Sequence, residues 1–296
     1  MTDRSAIHSP ERTGYDCSRG VCALESQPLV SIVVPIYNAQ KTLNRLMETI
    51  LNQTWHELDI ILVDDGSTDD SLSIARTFEQ QDSRVTVISQ SNSGVSQARN
   101  HGMKKCRGKY IRFVDADDTL PAESTELLVR RAEADGADLV IGGYTEYIRS
   151  VGHDFNLEHR DDTLSCDQVL PLICRNSNTF FYGVLWNKIF RRALIEHHGI
   201  SFESGLTYGE DFAFTMDYLR SAGKIAFLKD YLYDYRRSRG SLTVNQAFDC
   251  VVHPWRNIQT KRRLYSHLKG MYVARNRFGQ YRRKLWLYLF RVGLNK

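Results

Sequence analysis

The sequence offers nothing long enough to cross a bilayer. Its apolar run LWLYLF, residues 285–290, falls far short of the roughly 20 residues that a spanning helix needs. The opening residues, MTDRSAIHSPERTGYDCSRG, have no apolar core, so no secretory signal is expected and a cytoplasmic protein is. Cysteine is sparse, with six residues at 17, 22, 106, 166, 174 and 250. Cys17 and Cys22 lack a second close pair to complete a zinc site, so reduced thiols are expected. Acid is missing from the C-terminal part. From Val251 onward there is no Asp or Glu, so all 35 acids lie upstream, and the net charge of +4 hides an acidic body and a strongly basic tail.

What is present is an ordinary globular composition, 42% apolar and 25% charged, in a chain long enough to bury a large core. Residues 1–28 are polar and aperiodic and are expected to form a flexible leader. LVSIVVPIY, residues 29–37, is a β-branched run typical of a strand covered on both faces. Leu43, Leu46, Met47, Ile50 and Leu51 follow at the spacing of an amphipathic helix. LDIILVDD predicts a second strand, and GSTDDS supplies the turn and cap before a helix near residues 72–78. RVTVISQ, KYIRFVDADD and ADLVIGGY continue the strands, with helices over about 95–105 and up to about 134. This alternation predicts an α/β fold, a mainly parallel sheet with helices on both faces. Ligands then sit beyond the C-terminal strand ends, where Tyr37, Asn38, Asp64, Asp65, Asn92, Gly94 and the acids of residues 115–118 converge. Beyond Tyr147, EYIRSVGHDFNLEH predicts a hairpin and FFYGVLWNKIFRRALIE a strand or turn followed by a helix. YGEDFAFTMDYLRSAG predicts a helix stopped by Gly223, and IAFLKDYLYDYRRS a final strand pair. The second half is expected to complete the same domain.

The stretch FVDADDTL, residues 113–120, places three carboxylates at the end of an apolar run. Two chemistries use such a cluster. A phosphatase of the haloacid dehalogenase class could use Asp115 as nucleophile in a D-x-D-x-T pattern. A sugar transferase could use Asp115 and Asp117 to hold a divalent metal against a nucleotide-sugar diphosphate, since the metal reconciles an acidic crevice with an anionic ligand. The phosphatase pattern normally lies on the first core strand and is followed by a Lys and a G-D-x-x-x-D pair. Here three strand–helix units precede it, and GEDFAFTMD lacks that spacing. A non-catalytic glycan binder would not require D-x-D together with a later E-D.

Five segments, in order, carry a resemblance: VSIVVPIYN, ILNQTWHELDIILVDDGSTD, NSGVSQARNHG, FVDADD and YGEDFAF. Together they resemble glycosyltransferase family two, inverting enzymes of the GT-A fold, over residues 29–245, with 29–120 as the nucleotide-binding half and 121–245 as the acceptor half. The resemblance implies a nucleotide-sugar donor, most simply a UDP-sugar, and Mn²⁺ or Mg²⁺. It implies that Asp65 accepts the base N–H, that Pro35 and Tyr37 frame the base, and that Arg99 faces the donor sugar or pyrophosphate. Asp117 would contact the metal directly. Asp115 would touch ribose or donor sugar or reach the metal through water, with Ala116 between them in the donor site. Asp211 would be the general base and Glu210 its neighbour. On the residues alone, Asp64 and Asp65 also suit a capping turn, Arg99 a surface ion pair, and Glu210 and Asp211 a helix start. LWNKIF resembles the family's W-N-K segment and implies Trp186 at the acceptor, although a core Trp fits equally. Arg237 and Ser241 form an R-x-x-x-S arrangement, which in some relatives closes over the diphosphate, with Arg236 and Arg239 as neighbouring candidates for the arginine; a solvated basic loop is the alternative.

Residues 246–296 are expected to form a basic, aromatic helical extension. The cations with Trp255, Tyr265, Tyr272 and Trp286 suit nucleic acid or an anionic membrane surface. The transferase reading selects the membrane over nucleic acid, with residues 251–296 at the inner face of the cell membrane near a glycan or a polyprenyl- or lipid-linked acceptor. Helices packed on the domain, with solvated basic faces, are the alternative.

Overall fold

The protein is described from a computed structural model that covers residues 27–148, 150–156, 160–175, 181–206, 209–236, 254–275 and 277–281. The leader expected over 1–28, save its last two residues, lies outside them. So do Arg237, Ser241 and the end of the basic tail.

The first half follows the strand–helix alternation. Strands β1 (Val30–Ile36), β2 (Leu58–Asp65), β3 (Val85–Gln90) and β4 (Tyr110–Phe113) pair in parallel in the order β3-β2-β1-β4. Helices α1 (Leu43–Leu51), α2 (Ser71–Gln81) and α3 (Val95–Met103) connect them, and α4 (Ser124–Asp135) follows β4. Successive residues of β1 serve opposite faces: Ile32 and Val34 enter the core under α1 and α4, and Val33 enters the core under α3. All three are fully buried. A strand flanked by helices on both faces has no polar side to spare, which explains the mainly apolar run.

The second half joins the same sheet but does not simply extend it. Strand β5 (Leu139–Ile148) turns back as a hairpin into β6 (Val151–Phe155), as its sequence predicts. After β7 (Thr163–Ser165) and α5 (Cys166–Arg175), strand β8 (Lys188–Arg191) inserts antiparallel between β4 and β5. The fifth strand is therefore not the neighbour of the fourth. Helices α6 (Arg192–His198) and α7 (Glu210–Ser221) precede β9 (Lys224–Arg236), which runs parallel to β5. The expected strand pair over IAFLKDYLYDYRRS is thus one strand of 13 residues. No Gly, Asn or Pro is available there to reverse the chain. The irregularity of Lys229 and Asp230 is absorbed by register shifts opposite Gly143 instead.

Helix α8 (Pro254–Ala274) lies against α7. Its Leu264, Leu268, Met271 and Tyr272 are buried, and the last three enter the core that contains Phe113 and Phe214. Arg262, Arg263 and Lys269 remain exposed on the other side. Within the described residues, the beginning of the basic extension is a helix packed on the domain.

Candidate active site

The ends of β1 and β2 are tied together before any ligand arrives. Asn38, at φ 51°, accepts at Oδ1 from the Thr68 N–H at 2.8 Å, and its own N–H donates to Ser67 Oγ at 3.1 Å. Tyr37 projects beside this turn, 53% exposed, while Pro35 is half-buried. Asp65 is buried, and its carboxylate accepts from Gln90 Nε2 at 2.7 Å and from the Ser93 and Gly94 N–H groups, each at 2.8 Å. It therefore anchors the loop that leads into α3, rather than capping its own Asp–Gly turn. A carboxylate offers about four acceptor positions, so one remains for a base N–H. Gly66 adopts φ +70°, and a Cβ there would lie 2.7 Å from the Asn92 backbone nitrogen. Only glycine lets these two loops cross so closely.

The three acids after β4 have separate environments. Asp118 is fully buried, accepting from Tyr233 Oη at 2.6 Å and from the Arg236 N–H at 2.7 Å. Burial, reinforced by the charges of Asp117 and Asp115, raises its pKa well above the usual range. Asp115 pairs at Oδ1 with Arg99 Nη2 at 2.9 Å, while its N–H donates to Tyr233 Oη at 3.2 Å. At Asp117 the backbone carbonyl accepts from Arg45 Nη2 at 2.8 Å. Among the described residues no ion pair closes on the Asp117 carboxylate. Its pKa is pushed up to about 6 by burial and then by the charge of Asp115. Ala116, between the two acids, is half-buried.

Arg99 connects this cluster to the start of α7. The guanidinium is 3% exposed and reaches Asp115, Glu210 Oε1 at 3.1 Å and Asp211 Oδ1 at 2.6 Å. It also lies over the Phe202 ring at 5.5 Å. This is a buried network, not the surface ion pair that the sequence allowed. Burial opposes the charge on Arg99, but its three acids outweigh it and hold the group firmly protonated. One cation cannot neutralise three carboxylates. Asp211 accordingly has a pKa raised well above the usual range: burial is the main cause, Arg99 opposes it, and Glu210 and Asp115 add to it. A carboxylate so raised is a stronger proton acceptor than an exposed one, the property a general base needs.

Other expected residues sit less openly. Trp186 is only 7% exposed; it stacks on Tyr233 at 4.6 Å and on Tyr235 at 5.6 Å, and it meets Tyr144 edge-on. The core alternative describes most of its surface. Lys188 is fully buried, and its Nζ donates to the carbonyls of Phe181 and Val184 and to Asn187 Oδ1 at 2.7–2.8 Å. The W-N-K segment thus fastens its own loop, and burial lowers the Lys188 pKa well below its ordinary value. Sequence reading gave no notice of Arg45 or Tyr233, which hold the D-x-D loop, and it weighed Arg236 only for the diphosphate, whereas its N–H holds Asp118. All three lie far from that loop along the chain, in segments whose composition signals only helix or strand.

The donor chemistry fits a divalent cation. Among the described residues no three His, Cys, Asp or Glu side chains gather as a ready-made metal cage. Mg²⁺-type ions commonly need no such cage, taking one or two carboxylates and completing their shell with phosphate oxygens and water. Asp117, with Asp115 beside it, supplies that hard oxygen set, and a cation would offset both the burial and the neighbouring Asp115 charge that raise the Asp117 pKa.

The chain resembles known proteins throughout this region. The family described as "Glycosyl transferase family 2" matches residues 31–199. A relative, the uncharacterized glycosyltransferase EpsJ of Bacillus subtilis, is 33% identical over 246 residues, covering 81% of this chain and 70% of EpsJ. The structure of S. aureus TarS 1–349 in complex with UDP aligns at TM-score 0.64 and 21% identity, covering 86% of this chain and 73% of that one. The mannosyltransferase PcManGT of Pyrobaculum calidifontis, in complex with GDP-Man and Mn²⁺, aligns at TM-score 0.57 and 18% identity, covering 91% and 70%. The mixed, mainly parallel sheet is that of the GT-A fold. With the family match and the EpsJ relationship added to that fold, the chain belongs to glycosyltransferase family 2 and is a glycosyltransferase.

Proposed function

We propose that the protein transfers a hexose or N-acetylhexosamine, with inversion, from a UDP-sugar to a hydroxyl of a glycan or of a polyprenyl- or lipid-linked acceptor. The observation that carries this reading is the position of Arg99, a single guanidinium bonded both to Asp115 of the D-x-D and to Asp211 at the start of α7. That shared guanidinium supports a donor end and a base set side by side. Pro35, Tyr37 and Asp65 receive the uracil. Asp117 and Asp115 would hold Mn²⁺ or Mg²⁺, which when bound supplies positive charge to the departing diphosphate. Arg237 and Ser241, outside the described residues, are assigned to the same donor end. Asp211 accepts the acceptor's proton as its oxygen attacks the anomeric carbon, and Glu210 helps to hold Arg99. Trp186 borders the acceptor side through what remains exposed of its ring. The UDP in the TarS complex and the Mn²⁺ in the PcManGT complex support donor and metal.

The exposed Arg262, Arg263 and Lys269 of α8, with the cations that follow, are proposed to meet an anionic membrane surface at its inner face. No described helix is long and apolar enough to cross a membrane.

The deciding assay is UDP release from UDP-glucose, UDP-galactose, UDP-GlcNAc and UDP-GalNAc with Mn²⁺. Release from at least one donor, abolished by chelator and restored by added metal, is expected. Phosphate release from an aryl phosphate, with no UDP released from any donor, would reinstate the phosphatase. Co-sedimentation of the full chain with anionic but not neutral vesicles is expected in the same buffer, and equal sedimentation with both would remove the membrane contact.

A further inference from the structure

Helix α8 contributes nothing to the chemistry described so far, yet it packs on the part of the chain that presents Asp211. Leu264 lies against Gly209, the residue immediately before Glu210 and Asp211. Gly209 adopts φ +77°, and a Cβ there would come 2.7 Å from Leu264 Cδ1. About one turn further along α8, His267 is 2.9 Å from Glu203 Oε2 through Nε2 and 2.9 Å from Asp217 Oδ2 through Nδ1. Glu203 stands before the Glu210–Asp211 pair in the chain, and Asp217 stands after it on α7. The same approach is held from the opposite side by α3. Asn100 accepts from the Phe202 N–H at 2.8 Å and donates to the Phe202 carbonyl at 2.9 Å. Phe202 then stacks on Phe214 of α7 at 4.3 Å and lies under Arg99.

Ionised carboxylates only accept hydrogen bonds, so an imidazole between two of them must donate from both ring nitrogens. Only the imidazolium does this. The other oxygen of Asp217, Oδ1, is buried and makes no hydrogen bond, with Arg220 Nη1 3.6 Å from it. The remaining charged groups around the ring are Arg263 on α8, 3.5 Å from Glu203, and Arg220 on α7, 3.6 Å from Asp217. Neither of them bridges the two acids.

We propose that His267 is a positioning residue for sugar transfer, fastening α8 to both flanks of the Glu210–Asp211 turn and so holding Asp211 against Arg99. This rests on Asp211 as the base. The hydrogen bond to Asp217 is the largest cause of a raised imidazole pKa, and Glu203 adds to it against the effect of burial. A raised histidine pKa means that the clamp is complete below the ordinary imidazole value. It is lost as the pH rises through the raised one. The clamp therefore gives kcat an alkaline fall, separate from the rise caused by ionisation of Asp211.

The test compares the full-length wild type with His267→Gln and His267→Lys, using the fastest donor of the UDP-sugar panel with Mn²⁺. A glutamine amide can donate from its NH2 group but carries no charge to set between two carboxylates. A lysine ammonium can reach both and stays charged to a much higher pH. His267→Gln is expected to lower kcat by about 10- to 100-fold, with the donor KM within about twofold. His267→Lys is expected to restore most of kcat and to abolish its alkaline fall. In parallel, amide hydrogen exchange over residues 213–216 at the start of α7 is expected to quicken by about tenfold in the Gln variant only. Exchange reads the clamp whichever residue is the base, so a failure of the Asp211 assignment leaves this arm intact. Wild-type kcat and exchange in His267→Gln, or a Lys variant as impaired as the Gln variant in both, would overturn the proposal.

Discussion

Replacing Asp211 with Asn is expected to lower sugar transfer by about 100- to 10,000-fold, while Mn²⁺-dependent UDP affinity stays within about threefold of wild type. The amide has nearly the shape of the carboxylate and can still accept from Arg99 through its oxygen, so the cleft should persist. What it cannot do is take a proton. The loss corresponds to about 3–5 kcal/mol of barrier, the usual reach of one positioned base. The pH profile separates this from a general disturbance. In the wild type the raised pKa of Asp211 gives turnover a rise with pH as the carboxylate ionises, and the residual activity of the variant should lack that rise. Loss of UDP binding in place of turnover would mean that Asp211 belongs to the donor site.

The second large effect is on stability. Arg99→Met removes the guanidinium that pairs with Asp115, Glu210 and Asp211. Two of these acids, Glu210 and Asp211, are only 12% and 21% exposed in their side chains. Leaving buried charge without its partner typically costs about 3–5 kcal/mol, or a melting-point fall of about 10 °C for a chain of this size. The pH dependence follows from the sign of the shift. Asp211 already has a raised pKa, so its ionised form opposes folding, and losing Arg99 raises that pKa further. The deficit of the variant should therefore be largest above neutral pH. It should shrink as the pH falls and the carboxyls protonate, because the wild type is then left holding a buried guanidinium without its anions. Thermal melts of both proteins at pH 8 and pH 5 give the comparison. Equal melting points at pH 8 would show that Arg99 does not hold the cluster together.

These two residues also mark how far the sequence could be read. Strands β1, β2 and β4 were legible because helices on both faces demand mainly apolar runs, broken only by the buried and hydrogen-bonded Ser31, Asp59 and Arg112 before the acids at the strand ends. The turns that follow them were legible because Asn38, Gly66 and Gly94 occupy backbone shapes that few residues adopt. The position of β8 was not legible. KIFR is four residues long, too short to show a period, and its place between β4 and β5 is set by pairing with strands distant in sequence. The triple ion pair of Arg99 was equally hidden, since its partners lie 16, 111 and 112 positions away. Sequence could nominate Arg99, Asp115 and Asp211 separately, but only the fold brings them to one guanidinium. In α8 the buried face was available as Leu264, Leu268 and Tyr272 at four-residue spacing. The absence of acid there drew attention to the basic face and away from the face that packs.

The central claim is that a cation held at Asp117 and a base at Asp211 serve opposite sides of one donor sugar. Crystals grown with UDP and Mn²⁺, measured at the manganese absorption edge, test it most directly. The expected result is one anomalous peak between the Asp117 carboxylate and the diphosphate, in the cleft onto which Asp211 opens. A peak remote from Asp117, or a diphosphate bound where Asp211 cannot face the sugar, would contradict it.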